Sequence, residues 1–382
     1  MKKALLIAPK AKFHTLFNLN NCQILKELGY EIDVCANFYN DFEETKRNQD
    51  IVKQLTDLGI GIINAPFVRK SFFKNITVIK KLKRIIKSRR YDLIHVHTET
   101  GGFLFLISSL FCKKTAKYVY TPHGTSFYKG SSIKSKIVYK PIEKKIAKRM
   151  DANLSMNDEE KAFFDACSQK TSKYVHGIGL NIERIIGIKP YSRKDVCNMF
   201  GIDDESVLLL SVGEICSRKN HSIILDALSK IENINIKYLI CGTGDLKDKL
   251  IKKANKLGIE DKVIFAGYRT DVLRIVSACD IFAFPSVYEG LPVSVMEAMA
   301  FKKPVVCSSI RGNRELIDHE KGGYLISCND AESYARYIKI LAGDKNLRKQ
   351  FGAYNRSKVE LFSEDQVKKE LRAIYSNLEN ES

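Results

Sequence analysis

The strongest constraint on the fold is a rhythm that runs along the chain, stops once and starts again. Short apolar runs ending in turn or polar residues ("KALLIAP", "EIDVCAN", "IGIINAP", "DLIHVH", "KYVYTPHG") alternate with helix-like segments such as "NCQILKELG" and "DIVKQLTDLG". That alternation predicts a parallel sheet with helices on both faces. The stretch "VHGIGLNIERIIGIKPYSRKDVCNMFGIDDES" interrupts it with glycines, a proline and polar residues. Then "VLLLSVG", "IKYLICG", "KVIFAG", "IFAFPS", "PVVCSS" and "GYLISC" resume it, with helices expected between them. The fold class is α/β, with two Rossmann-like halves joined near residues 180–205. A length of 382 residues suits two domains. Ligands of such sheets sit at the carboxyl ends of the strands, so a cleft between the halves is the expected active site.

Several classes are argued against. The most apolar stretch, "GGFLFLISSLFC" at 101–112, is shorter than the roughly 20 residues a membrane span needs and reads as a buried helix. "MKKALLIAPK" reaches Pro9 after a brief apolar run and reads as a first strand, not a signal peptide. Ten cysteines stand singly from Cys22 to Cys328, and they read as buried small hydrophobes of a reducing cytosol. "PKAKFHTLFNLN", after the first strand, has no glycine, which argues against a plain NAD dehydrogenase. Gly242 and Gly244 form a lone Gly-x-Gly of little weight. His95 and His97 of "HVH" end a strand with no third ligand evident and read as structural.

The net charge of +19 is concentrated between Pro66 and Met150, where 21 Lys and Arg face three acids. "SFFKNITVIKKLKRIIKSRR" sets Phe72, Phe73, Ile76, Ile79, Leu82, Ile85 and Ile86 near helical spacing among basic residues, and "KSKIVYKPIEKKIAKRM" is similar. These are either ordinary amphipathic helices with solvated lysines or a surface for anionic lipid. There is no recognisable nucleic-acid module and no interleaved aromatic platform, so nucleic acid is not an expected partner.

The chemistry is concentrated in "SVYEGLPVSVMEAMA", residues 286–300. It is mostly small or apolar, yet it holds Glu289 and Glu297 eight positions apart. Pro292 suits the first turn of a helix. Gly290 and Leu291 precede it, where free amides and the helix dipole make an anion site. Carboxylates accept well from neighbouring hydroxyls. Two of them flanking a phosphate-binding helix start suit a nucleotide sugar, with Glu297 on the ribose diol and Glu289 on the sugar. The plainer alternative is a solvated loop residue and a helix-surface charge.

"EGLPVSVMEAMA" resembles the E-x7-E motif of retaining glycosyltransferases of the two-domain GT-B fold, most closely glycosyltransferase family 4 (group 1), as in bacterial capsule and exopolysaccharide enzymes. "SVGEICSRKNHSIILDAL" looks like that family's Gly-rich strand end and basic loop, and "KVIFAGYRTDV" like its base loop. "TPHGTSFYKGSSIKSKIVYKPIEKKIAKRMD" looks like its His-containing loop. The resemblance implies two Rossmann-like domains facing across a cleft. Residues 1–185 would form the acceptor domain and 186–363 the nucleotide-sugar domain. The final helix, about 364–382, would return to complete the first. It further implies that Glu289 contacts the donor sugar, that Gly290 and Leu291 amides hold the distal phosphate, and that Glu297 binds the ribose. Lys219 with Arg218 would neutralise the departing diphosphate, Tyr268 and Arg269 would line the base pocket, and His123 would face the transferred sugar. One departure is Glu214, where many relatives carry Arg after the glycine matching Gly213.

Breaking the anomeric bond puts negative charge on the leaving phosphate, which fixed cations and amides stabilise. With no Asp-x-Asp pair to hold Mg²⁺ beside the diphosphate, no metal and no cofactor beyond the nucleotide sugar are expected. Glu289, occupied with sugar hydroxyls, is poorly placed as a nucleophile, which favours attack from the leaving-group face with His123 positioning the donor. The expectation is a cytoplasmic hexosyltransferase at the inner membrane face that uses a UDP-linked sugar and a lipid-linked glycan acceptor in surface polysaccharide synthesis. The alternatives are a UDP-sugar 2-epimerase of similar fold and a catalytically inactive nucleotide-sugar-binding protein.

Overall fold

The computed structural model describes residues 2–39, 42–68, 73–88, 90–127, 131–167 and 171–380. The chain divides into two compact units, Met1–Gly179 with Glu364–Ser382, and Leu180–Ser363. The change of unit at 179/180 comes before the expected 185/186, and the reason is burial. Leu180 pairs with Ser363, and Ile182 and Ile185 lie in the core of the C-terminal unit. The stretch read as a break is thus built into that unit. It holds helices at Ile182–Ile186 and Arg193–Phe200, the second opened by a Ser192/Asp195 capping box.

The N-terminal unit carries a seven-stranded parallel sheet. Its strands are β1 (Lys2–Lys10), β2 (Tyr30–Asn37), β3 (Gly61–Asn64), β4 (Leu93–His97), β5 (Lys117–Thr121), β6 (Ala152–Ser155) and β7 (Thr171–Tyr174). They lie in the order β3-β2-β1-β4-β5-β6-β7. Ala4 and Leu6 of β1 join one core and Leu5 and Ile7 the other, so the strand is apolar at consecutive positions because it is covered on both faces. "GGFLFLISSLFC" supplies the mostly buried helix Glu99–Ser109. The helix Glu364–Asn380 packs in this unit, where Val367, Leu371, Ile374, Tyr375 and Leu378 fill the first core.

The two basic segments differ. The helix Ile76–Lys87 buries Val78, Leu82 and Ile86 and exposes Lys80 and Lys87, as an ordinary amphipathic helix does, while Lys81 turns in to the Asn64 carbonyl. Phe72 lies outside the described residues. The helix Ile133–Arg149 instead begins with its apolar side chains in solvent, Ile133 at 76% and Ile137 at 68% exposure.

A chain of buried hydrogen bonds ties the helix Glu364–Asn380 to the sheet, and its direction is determined throughout. The Cys35 carbonyl can only accept, so His14 donates to it from Nε2 (3.3 Å) and keeps Nδ1 bare to accept from Asn18 Nδ2 (3.1 Å). Asn18 Oδ1 then accepts from Asn21 Nδ2 (3.2 Å), and Asn21 Oδ1 accepts from the Tyr375 hydroxyl (2.7 Å). With its proton committed, the Tyr375 oxygen accepts from His95 Nδ1 (2.8 Å), which leaves His95 Nε2 to accept from the Thr121 hydroxyl (2.8 Å). All six side chains are buried.

The C-terminal unit carries a six-stranded parallel sheet of β8 (Val207–Val212), β9 (Ile236–Cys241), β10 (Val263–Gly267), β11 (Ile281–Phe284), β12 (Val305–Ser308) and β13 (Gly323–Ile326). Their order is β10-β9-β8-β11-β12-β13. Leu208 and Leu210 enter one core and Leu209 the other. The lone Gly-x-Gly has a packing cause. A Cβ at Gly242 would stand 1.8 Å from the Gly213 carbonyl oxygen, and one at Gly244 would stand 2.3 Å from that of Ile215. These glycines let the loop after β9 lie against the loop after β8. In both sheets the winding reverses once, between β1 and β4 and between β8 and β11, and at such points the loops part to leave a crevice.

Tyr375→Phe keeps the packing of a fully buried ring but strands His95 Nδ1–H and Asn21 Oδ1. Each buried group left unpaired costs about 1–3 kcal/mol, so the variant is expected to lose roughly 2–4 kcal/mol in urea denaturation. Unchanged stability would show that the chain does not hold the helix.

Candidate active site

In the C-terminal unit the crevice between β8 and β11 brings together three of the expected residues. Arg218 and Lys219 come from the loop after β8 and Glu289 from the loop after β11. The two loops are joined by a backbone hydrogen bond from Val287 N–H to the Arg218 carbonyl (2.9 Å). Ser286 Oγ, with one proton to give, lies within hydrogen-bond reach of the same carbonyl (3.0 Å) and of Glu289 Oε1 (2.8 Å). Lys219 Nζ lies 2.8 Å from Glu289 Oε1, and Arg218 Nη1 pairs with the same oxygen. One carboxylate oxygen thus holds both cations, while Glu289 Oε2 has no partner among the described residues. Lys219 also sits 4.5 Å above the Phe284 ring. Gly213, at φ 153°, makes room for its stem: a Cβ there would be 3.1 Å from Lys219 Cε. Glu214, the departure from the family pattern, is exposed and forms no ion pair among the described residues.

Below the crevice the helix Val293–Ala300 starts without a side-chain cap. Pro292 takes the capping position itself, one residue before the first-turn place expected for it. Gly290 and Leu291 amides donate to no group among the described residues, and free amides at a helix start are what an anion requires. Arg311 braces this loop by donating from Nη2 to the Tyr288 hydroxyl (3.0 Å). Gly312 lets the next helix approach, since a Cβ there would be 2.2 Å from the Gly290 carbonyl oxygen. Glu297 projects from the same helix among the buried Met296, Ala298, Met299 and Ala300, with no hydrogen bond or ion pair among the described residues. Burial raises its carboxyl from 4.5 to about 7. Its side chain is part-buried, unlike the solvated helix-surface charge of the plainer alternative.

The expected base-pocket pair is not joined to this group. Tyr268, after β10, is 78% exposed. Arg269 is clamped to Asp271 two residues on, from Nε to Oδ1 (2.8 Å) and Nη2 to Oδ2 (2.5 Å), with its guanidinium 5.7 Å from the Phe200 ring.

In the N-terminal unit His123 follows β5. It holds a left-handed backbone at φ 56°, and Thr98 does the same at φ 69° after the adjacent strand β4. Such strain, about 1–3 kcal/mol per residue, persists only where surrounding structure enforces it. Here the loop after His123 is held by Thr125 N–H to Glu160 Oε1 (2.8 Å) and Ser126 N–H to Glu99 Oε1 (2.6 Å). Phe13 meets the His123 ring edge-on at 4.8 Å. His97, which sequence reasoning set aside as structural, places Nδ1 3.0 Å from His123 Nε2. The alternation in "HVH" was the only sequence signal for it, and it does not point to a partner 26 residues later.

Residues 193–358 match the family described as glycosyl transferases group 1, and residues 18–167 match glycosyltransferase family 4. The putative glycosyltransferase EpsD of Bacillus subtilis is 28% identical over 98% of this chain and 97% of its own. The Escherichia coli UDP-Gal:alpha-D-GlcNAc-diphosphoundecaprenol alpha-1,3-galactosyltransferase is 27% identical over 77% of this chain and 78% of its own. Among solved structures, Anabaena Alr3699/HepE in complex with UDP superposes with a TM-score of 0.77 at 18% identity, covering 99% of this chain and all of that one.

The isolation of Glu297 has a measurable consequence for the free protein. Because its folded pKa is raised, its stabilising contribution is complete below about pH 4.5 and is lost as pH rises through about 7. Above that the ionised group costs about 3 kcal/mol. Glu297→Gln is therefore expected to raise the melting temperature at pH 8 by at least about 4 °C, and to leave it nearly unchanged at pH 5. Equal melting curves at pH 8 would mean that the carboxylate is solvated.

Proposed function

The chain belongs to the glycosyltransferases of the GT-B fold, family 4 (group 1), and on that footing we propose that it moves a hexosyl unit from a UDP-linked sugar to a lipid-linked glycan in bacterial surface polysaccharide synthesis, with retention at the anomeric carbon. The observation that carries this reading is the shared Glu289 oxygen. It holds Arg218 and Lys219 side by side at the mouth of an uncapped helix, which is where a diphosphate would need them. Glu289 Oε2 and the lone carboxylate of Glu297 are the acceptors left over for sugar and ribose hydroxyls.

The donor diphosphate would lie against Lys219, Arg218 and the Gly290 and Leu291 amides. As the anomeric bond breaks, these groups stabilise the charge growing on the leaving phosphate. Glu289 is a poor nucleophile in this arrangement, since two cations and a serine hydroxyl already stabilise its charge. Retention then calls for attack from the leaving-group face, with the phosphate oxygen taking the acceptor's proton. No metal enters this scheme. Tyr268 is free to close over the base, whereas Arg269 would first have to leave Asp271. The families matched are transferases, which leaves the epimerase reading without support. UDP and UDP-glucose bound to Alr3699/HepE support a uridine donor. The E. coli galactosyltransferase's diphosphoundecaprenol acceptor supports a lipid-linked one.

No helix among the described residues is long and apolar enough to cross a membrane. The exposed Ile133 and Ile137, set among Lys134, Lys136 and Lys140, support peripheral attachment to an anionic bilayer from the cytoplasmic side. The helix Ile76–Lys87 spends Val78, Leu82 and Ile86 on the core and leaves Ile76, at 40% exposure, as its one exposed large apolar side chain.

Calorimetry with a panel of UDP- and GDP-sugars tests the donor site. Glu297→Ala is expected to weaken UDP-sugar binding about tenfold or more, from a lost charged hydrogen-bond pair. Equal affinity in the variant, or no binding by the folded protein, would overturn the assignment. Sedimentation with phosphatidylglycerol vesicles tests attachment. Ile133→Ser/Ile137→Ser is expected to lose at least half of the bound fraction while UDP-sugar affinity stays unchanged. Absence of vesicle binding by the native protein at physiological salt would remove the membrane from the proposal.

A further inference from the structure

The pairing of His97 with His123 goes beyond packing. His97 ends β4 with 1% of its surface exposed, and its ring lies 3.9 Å from that of His95. Phe13 leans on both His97 (5.4 Å) and His123 (4.8 Å). Burial holds His123 and His95 down to about 3 and His97 well below its usual value, so these rings are neutral at working pH. Two neutral imidazoles that share one hydrogen bond have two arrangements. Either His97 Nδ1–H donates to His123 Nε2, or His123 Nε2–H donates to His97 Nδ1.

The arrangements differ at both outer nitrogens. In the first, His97 Nε2 is a bare lone pair and His123 Nδ1 carries a proton. In the second, His97 Nε2 carries the proton and His123 Nδ1 is bare. His97 Nε2 is buried with no partner among the described residues. His97 lines a pocket of about 20 Å³ together with Asn21, Thr121, Leu154, Met156 and Leu371, and none of these side chains bonds to Nε2. His95 cannot relieve it, because its own nitrogens are committed to Tyr375 and Thr121. An unpaired buried N–H is rarer and costlier than an unpaired acceptor, so the first arrangement is favoured.

Building on the reading that His123 faces the transferred sugar, we propose that His97 is a positioning residue that holds His123 as its Nδ1–H tautomer. His123 then offers the sugar a fixed N–H donor and has no lone pair with which to take the acceptor's proton. The outer edge of its half-buried ring is where this matters, since His123 Nδ1 bonds to nothing among the described residues.

Long-range ¹H–¹⁵N spectra of histidine-labelled protein test this directly, with His123 assigned by its loss in His123→Asn. In the native protein Nδ1 of His123 should be protonated and Nε2 bare. His97→Asn, whose amide N–H stands where Nδ1–H stood, should preserve that tautomer. His97→Leu should give a mixture, lower kcat about tenfold or more and shift the donor KM less than about threefold, with His97→Asn recovering most of the loss. A bare Nδ1 in the native spectrum overturns the proposal whether or not any variant folds, as does an unaltered tautomer in folded His97→Leu. The spectra need no donor. If the tautomer is as stated but saturating UDP-sugar leaves His123 unmoved, the placement of His123 against the sugar fails separately.

Discussion

Parallel strand pairing governs everything else in this molecule. Strands that run the same way deliver all their carboxyl ends to one edge of the sheet, and each must be followed by a crossover that covers a face. The faces are therefore buried and the chain's chemistry is confined to the loops of one rim. Both units obey this. Arg218, Lys219 and Glu289 leave the rim on either side of the β8/β11 reversal. His97 and His123 close β4 and follow β5, next to the β1/β4 reversal.

On that rim the electrostatic arrangement differs from residue to residue. Glu289 is over-supplied with partners, and Glu297 has none. The first keeps two cations together that would otherwise repel each other. The second stores an unfavourable charge that a pair of hydroxyls could relieve. The N-terminal unit uses neutral groups instead. There His95, His97 and His123 are held uncharged by burial, and hydrogen-bond direction takes the place of charge in deciding what each of these rings presents.

Much of the architecture was legible because parallel strands buried on both faces are apolar at successive positions, as in "VLLLSV" and "ALLIA". The strands that escaped notice, "ANLS" and "TSKY", are four residues long and polar, so they carry no such pattern. The helices at 182–186 and 193–200 were masked by the glycines around them. At the site, residue types and spacing pointed to Glu289 and Glu297, and the family resemblance added Arg218 and Lys219. Spacing could not show that one oxygen of Glu289 serves both cations, because that depends on two loops meeting across a crevice. The resemblance assigned Arg269 to the base pocket without showing that Asp271, two residues away, competes for it. His97 went unrecognised because its partner is remote in sequence.

The return of the helix Glu364–Asn380 into the N-terminal unit also bears on how the protein is made. Val367, Leu371, Ile374, Tyr375 and Leu378 complete a core whose other residues are synthesised first. All of Leu180–Ser363 lies between, which at typical translation rates is roughly ten to forty seconds of elongation. Through that interval the first unit emerges with an apolar face uncovered and with Asn21 and His95 lacking Tyr375. The second unit, whose chain is continuous, can fold in the meantime. The unit translated first is the one finished last, and its exposed face has to be kept from other nascent chains until then.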